Sequence, residues 1–345
     1  MEKIPVAILG ATGSVGQKFI QLLINHPWFE IKELAASETS AGKKYKDAVE
    51  WFVSDEIPEQ VANLEVRKCE PNLDCKVAFS GLDSSIAGEV ETAFANKGYK
   101  VISNSRNHRM DDDVPLLIPE INPDHIELVK KQKYGGGLIV TNPNCSTIGM
   151  TLALKPLIDD FGISDINVVT MQAVSGAGNP KKVGLNIDDN VIPWIKGEEE
   201  KMEIEPLKIF GTLNNQRIDF NKMNISAQCN RVNVTDGHLE AVQIRLKKKV
   251  DKEDIINSWN NFSSEPQKLD LPTAPKKPIH YFDEDDFPQP KIHRNIENGM
   301  AAATGRLRPD KFFDFKFVVL SHNTVRGAAG GAILCAELLK AKGYI

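Results

Sequence analysis

Two joined fold classes are predicted, a parallel-sheet α/β unit followed by an α+β unit, and three observations carry the prediction. Short apolar strands alternate with helical stretches as far as residue 145. Beyond it the strands lengthen and alternate apolar with polar residues, the pattern of a sheet with one wet face. At 345 residues the chain is also too long for one simple core.

The first unit opens with "VAIL" at Val6 to Leu9, a helix from about Ser14 to Asn25, and a strand near Ile31 to Ala36. "KVAFS" at Lys76 to Ser80, a helix through Ile86 to Lys97, "KVIS" at Lys100 to Ser103 and "GLIVT" at Gly137 to Thr141 continue the alternation. Strands this short and this apolar are buried on both faces, so they belong to a parallel sheet with helices on each side. After Cys145 a helix carries Ile148, Leu152, Leu154 and Leu157. "HLEAVQIRLKKKV" from His238 and "DFKFVVLSHN" from Asp314 read as long antiparallel strands, and the proline-rich stretch from Pro266 to Pro290 as an irregular loop. The final helix, from about Gly327 to Lys342, is rich in Gly and Ala, which permits close approach to another backbone. It is expected to return to the first unit. The expected division is therefore 1–145 with 324–345, and 146–323.

Composition narrows the function. With 41% hydrophobic and 26% charged residues and a net charge of −5, the chain offers no basic surface for nucleic acid or an anionic membrane. No apolar run reaches the roughly 18 residues that cross a bilayer. "MEKIPVAILG" enters a strand directly, without a leader pattern. The five cysteines are scattered and include no CxxC pair, against both a disulfide framework and a zinc site. A cytoplasmic protein without a metal is the expectation.

"GATGSVG" sets Gly10, Gly13 and Gly16 directly after the first strand and at a helix start, with Thr12, Ser14 and Val15 between and around them. A tight turn, backbone approach to a pyrophosphate and close helix packing all demand glycine there, so the unit reads as a Rossmann dinucleotide-binding domain. At the end of the second strand, "AASETSAGKK" supplies Ser37, Ser40, a glycine and lysines. Hydroxyls and amides beside a lysine suit a 2′-phosphate, which favours NADP, while Glu38 leaves NAD open.

Cys145 lies in "TNPNCSTIG", after the last strand of the nucleotide unit and at the start of a helix. Asn144 suits the cap and Pro143 fixes the approach. Free cysteine is usually a buried, inert hydrophobe. This one sits where ligands bind in open α/β sheets, at a helix N-terminus that lowers a thiol pKa and presents amides to an oxyanion. A thiolate beside a nicotinamide suits thioester formation and hydride transfer. His238 and Arg231, taken alone, are as well explained by surface hydrogen bonds or a salt bridge.

Read together and in order, "GATGSVG", "SNSRNHRMDDDVPLLIPEIN", "TNPNCSTIG", "VVTMQAVSGAG", "EPLKI" and "NRVNVTDGH" resemble the aspartate-semialdehyde dehydrogenase family, in its archaeal and fungal-type branch. The resemblance implies a glyceraldehyde-3-phosphate-dehydrogenase-like α+β catalytic and dimerisation domain after the nucleotide domain. It also implies Cys145 as nucleophile, His238 as acid-base residue and Gln172 as the group orienting them. Arg231 would grip the substrate carboxylate, Glu205 the ammonium, and Lys208 with Arg109 the phosphate, with Asn144 beside them. Gly10, Thr12, Gly13, Ser14, Val15, Ser37 and Ser40 would line the NADP site, with Asn323 near the nicotinamide. Glu198 to Glu203 competes with Glu205 for the ammonium.

The implied reaction is NADPH-dependent reduction of L-4-aspartyl phosphate to the semialdehyde, with release of inorganic phosphate, on the route to lysine, threonine and methionine. A near-neutral His238 would help form the Cys145 thiolate and later protonate the collapsing hemithioacetal. A homodimer or homotetramer is implied. Two alternatives stand beside this one: a malonyl-CoA reductase of the same branch, which needs neither a partner for Glu205 nor a phosphate clamp, and a non-catalytic nucleotide-binding redox sensor.

Overall fold

The first strand, β1 (Ile4–Leu9), runs through the middle of a six-stranded parallel sheet because Val6, Ala7, Ile8 and Leu9 are apolar in succession and buried. Its neighbours are β2 (Phe29–Ala36) and β4 (Val77–Ser80), in the order β3-β2-β1-β4-β5-β6, where β3 is Val66–Lys68, β5 Lys100–Ser103 and β6 Leu138–Thr141. The protein is described from a computed structural model at residues 2–178 and 186–345. Helix α1 (Ser14–Leu23) follows β1 and buries Phe19, Ile20 and Leu23, three apolar residues at helical spacing. Helix α2 (Ser84–Asn96) is capped by the Asp83 carboxylate, which accepts from the Ser85 amide.

Strand order reverses at β1, so a crevice opens at its carboxyl end between β1 and β4. Gly10 makes the turn there. Its φ is +77°, and a Cβ would stand 2.8 Å from the Gly81 carbonyl oxygen, so any side chain would push the two loops of the crevice apart.

Helix α3 (Cys145–Phe161) leaves the end of β6 and enters the second unit, buried almost all round. That unit is a seven-stranded sheet in the order β13-β14-β15-β12-β7-β11-β8. The strands are β7 (Ile163–Gln172), β8 (Val191–Ile192), β11 (Asn224–Val232), β12 (His238–Leu246), β13 (Ile279–Phe282), β14 (Ala302–Pro309) and β15 (Phe315–Ser321). Helix α4 (Glu198–Ile209) precedes a small ribbon of β9 (Thr212–Asn214) and β10 (Arg217–Asp219), and helix α5 (Lys252–Asn261) packs on α3 through Trp259, whose indole donates to the Ala153 carbonyl at 2.8 Å.

β12 and β15 pair antiparallel, as expected, within a mixed sheet in which β11 runs parallel to β7 and β13 parallel to β14. One expectation is corrected here. The proline-rich segment is not all loop: Ile279 to Phe282 forms the edge strand β13, which prolines on either side of it only delimit.

The last helix, α6 (Gly330–Ala341), lies in the first core, with Ile333, Leu334 and Leu338 packed among Val6, Phe19 and Phe79. It starts later than the small-residue pattern predicts. A wide π-type turn over Val325–Ala329 precedes it, and the Arg326 guanidinium there grips the Glu120 carboxylate through two bonds of 2.8 and 2.6 Å, both residues fully buried. Among the described residues no helix is long and apolar enough to cross a membrane.

Candidate active site

A cleft of about 530 Å³ runs from the N-terminus of α1 to that of α3, between the two units. Cys145 begins α3 because Asn144 caps it, its side-chain oxygen accepting from the Ser146 and Thr147 amides at 3.0 and 3.3 Å. Opposite, Gly327 in the π-type turn comes so close that a Cβ would lie 2.7 Å from that of Cys145. The carboxyl-terminal segment therefore forms one wall of the thiol's surroundings.

His238, the first residue of β12, brings its Nε2 to 3.2 Å from Cys145 Sγ. Its Nδ1 accepts a hydrogen bond from the Ala173 amide at 3.0 Å. Arg231, on β11, donates to the Ala173 carbonyl at 2.6 Å. Gln172 ends β7 and directs its amide towards Thr170 Oγ1 at 3.3 Å and the Glu198 carboxylate at 3.4 Å. Asn323 ties the loops together, accepting from the Gly237 amide and donating to Ser175 Oγ.

Cys145, Gln172, Asn144, Arg109, Ser14, Val15 and Asn323 all line the cleft, and His238 and Arg231 stand directly behind its wall. Glu205 and Lys208 are not among the residues that line it. The Glu205 carboxylate is buried between Arg109, paired at 2.8 Å, and the Asn144 amide at 2.7 Å. The Lys208 ammonium is enclosed by the carbonyls of Arg109, Asp111 and Val114 at 2.7–2.9 Å, and burial pushes its pKa down to about 8. Both residues shape the loop that carries Arg109.

The cleft instead receives Glu198 and Lys201, one helical turn apart at the start of α4. Burial pushes the Glu198 carboxyl up, but Lys201 and hydrogen bonds from Asn144 and Gln172 outweigh it and hold it below the ordinary carboxylate range. Arg106, Lys18 and Asp236 also line the cleft, and motif reading missed all three. The signal available for Arg106 was its place three residues before Arg109 in the same loop.

Electrostatics depart from expectation at both reactive groups. Burial, with Glu198 adding to it, pushes the Cys145 thiol up to about 12 despite Arg231, Lys201 and Arg109 nearby. Burial and then the charges of Arg231 and His322 hold His238 well below the usual imidazole range, so it stays neutral at working pH.

At the nucleotide end, Gly13 caps α1 without a side chain, leaving the helix's first turn open to a pyrophosphate. The Gly10 and Ala11 amides donate to the Ala35 carbonyl, which holds the loop after β2 beside the glycine loop. In that loop Ser37 shares a hydrogen bond with Thr39, Ser40 is buried, and Glu38 pairs with Lys68 at 3.1 Å. Thr12 is half-buried at the rim.

The sequence matches two family models, the semialdehyde dehydrogenase NAD binding domain over residues 5–129 and the semialdehyde dehydrogenase dimerisation domain over residues 154–326. An aspartate-semialdehyde dehydrogenase of Archaeoglobus fulgidus is 49% identical, with 97% of each chain covered. The chain belongs to the aspartate-semialdehyde dehydrogenase family. Its structure superposes on that of the Candida albicans aspartate semialdehyde dehydrogenase with NADP at a TM-score of 0.92, 43% identity and full coverage of both chains. The Vibrio cholerae aspartate semialdehyde dehydrogenase II complexed with ASA gives a TM-score of 0.78 at 29% identity, over 99% of both. As a member of this family the protein is an oxidoreductase of aspartate-family amino-acid biosynthesis, with a dinucleotide-binding domain and a dimerisation domain.

Proposed function

We propose that this enzyme reduces L-4-aspartyl phosphate to the semialdehyde with NADPH through a thioester on Cys145, releasing inorganic phosphate. One observation carries the reading: a thiol at a helix N-terminus stands 3.2 Å from an imidazole in a cleft that both units line. When bound, NADPH supplies the hydride. The Cys145 sulfur attacks the acyl carbon, and the opening amides of α3 receive the developing oxyanion. Asn144 and Gln172 hold the thiol's side of the cleft through their shared partner Glu198.

Glu198, ionised and in the cleft, takes the substrate ammonium in the role that Glu205 cannot fill. Arg231 takes the carboxylate, because a planar fork suits bidentate recognition. Lys201, Arg109 and Arg106 supply positive charge for the phosphate. The nucleotide lies across the crevice from Ser37 and Ser40, past Gly10, Thr12 and Gly13, to Ser14, Val15 and Asn323. The packing of α6 in the first core supports a division at 145/146 and 323/324. A homodimer accounts for Val191 and Trp194, apolar side chains that are more than half exposed at the β8 edge.

The test is phosphate-dependent reduction of NADP with aspartate semialdehyde, run beside malonyl-CoA reduction. We expect turnover with the semialdehyde that vanishes in Cys145→Ala. Full activity in that variant, or preference for malonyl-CoA, overturns the reading.

A further inference from the structure

We propose that the buried Arg326–Glu120 pair is a positioning clamp, holding the π-type turn that sets the place of both reactive groups, Cys145 and His238. The proposal deepens the thioester chemistry and rests on it. In a π-type turn each amide reaches back five residues, and single turns of this kind are rare and concentrate at functional sites. Here the Gly327, Ala329 and Gly330 amides donate to the His322, Thr324 and Val325 carbonyls. One side of the turn meets the thiol, since a Cβ on Gly327 would stand 2.7 Å from that of Cys145. The chain entering the turn meets the strand of the imidazole. Asn323 Oδ1 accepts from the Gly237 amide at 2.8 Å, one residue before His238. The same segment therefore indexes sulfur and ring, which are 3.2 Å apart.

The turn is held from outside. Arg326 donates two bonds to Glu120, and its Nε has no hydrogen-bond partner among the described residues. A buried guanidinium with one partner cannot leave it without losing its whole compensation. Glu120 is in turn fixed to both units. Three residues before it, the Leu117 amide donates to the Thr141 carbonyl at the end of β6, four residues ahead of Cys145. Its own carbonyl accepts from Ser264 Oγ at 2.8 Å, in the segment after α5. Because the guanidinium is planar and its contact bidentate, the pair fixes direction as well as distance. Neither side chain lines the cleft, so both act through Gly327 and Asn323.

Without the clamp the turn relaxes towards the ordinary four-residue spacing of α6, which follows it directly, and Gly327 shifts against Cys145. The groups assigned to the substrate are held elsewhere. Glu198 bonds to Asn144 and Gln172, and Arg231 to the Ala173 carbonyl. Loss of the clamp therefore spares substrate binding and slows the chemical step, for which a misplacement of about 1 Å costs about 100-fold.

The test compares full-length wild type with Arg326→Lys, with Glu120→Gln and with the double variant Arg326→Met/Glu120→Leu. Turnover in phosphate-dependent oxidation of aspartate semialdehyde is expressed per folded enzyme, with the folded fraction taken from urea unfolding. Arg326→Lys keeps the charge and loses the fork, whereas the double variant replaces the pair by apolar side chains that pack without directional bonds. We expect kcat to fall about 10- to 100-fold in all three. KM for semialdehyde and for phosphate should stay within about 3-fold of wild type. The double variant should regain the urea midpoint that Glu120→Gln loses, but not the kcat. Recovery of kcat together with stability in the double variant makes the pair a matter of folding alone and overturns the clamp. A kcat in Arg326→Lys within about 3-fold of wild type, or a raised KM with kcat unchanged, overturns it as well. Activity in Cys145→Ala sinks the thioester reading itself, whereas any of those outcomes with an inactive Cys145→Ala sinks only the clamp.

Discussion

Helix α4 carries two acid-base pairs of identical spacing, Glu198 with Lys201 and Glu205 with Lys208, and they have opposite fates. The first pair opens on the cleft and its members bond to each other. The second is consumed by the protein, Glu205 by Arg109 and the Asn144 amide, Lys208 by three backbone carbonyls. Seven residues is nearly two helical turns, so Glu198 and Glu205 share a face within about 20°. Depth separates them: Glu205 lies about 10 Å further along the helix axis, inside the packed junction. Only the outer pair lines the cleft.

Substitutions should separate the two pairs by what they damage. Glu205→Ala leaves the Arg109 guanidinium buried and unpaired, which costs about 3–5 kcal/mol; urea unfolding should show the loss, and a change below 1 kcal/mol would place Glu205 in contact with solvent or substrate instead. Glu198→Gln should lower kcat/KM for aspartate semialdehyde by about 100-fold, since a hydrogen-bonded ionic contact is worth about 1.5–3 kcal/mol. Its urea midpoint should move little. Lys201→Met should raise the KM for phosphate about 10-fold at low salt, and the difference should shrink as salt screens the remaining charges. An effect confined to stability would make Lys201 a purely structural partner of Glu198.

Glu240 sharpens the contrast from a third side. Its carboxyl is buried on β12, two residues past His238, without a hydrogen-bond partner among the described residues. Burial holds its pKa well above the ordinary 4.5. The folded state keeps a proton that the unfolded chain releases above pH 4.5, so stability falls as pH rises through that window. The slope is about 1.4 kcal/mol per pH unit. Glu240→Gln should abolish that component, and parallel pH-stability curves for the two proteins would show that Glu240 ionises normally.

What was legible in the sequence follows local physics. Alternating short apolar strands and the glycine loop specified the nucleotide unit, and Asn144 in front of Cys145 specified the start of α3, because each depends on near neighbours. Strand β13 was hidden between prolines and gains its identity only by pairing with β14. The roles within α4 were illegible for the same reason: spacing is a property of one helix, whereas depth depends on what packs against it.

Gly327 places the last part of the chain against the nucleophile, and α6 completes the core beneath the nucleotide site. In terms of synthesis, this inverts the order in which the units are written. Residues 146–323 have all left the ribosome before the first unit can close its own core. The nucleotide unit's core and the wall beside Cys145 thus both draw on the same late segment of the chain.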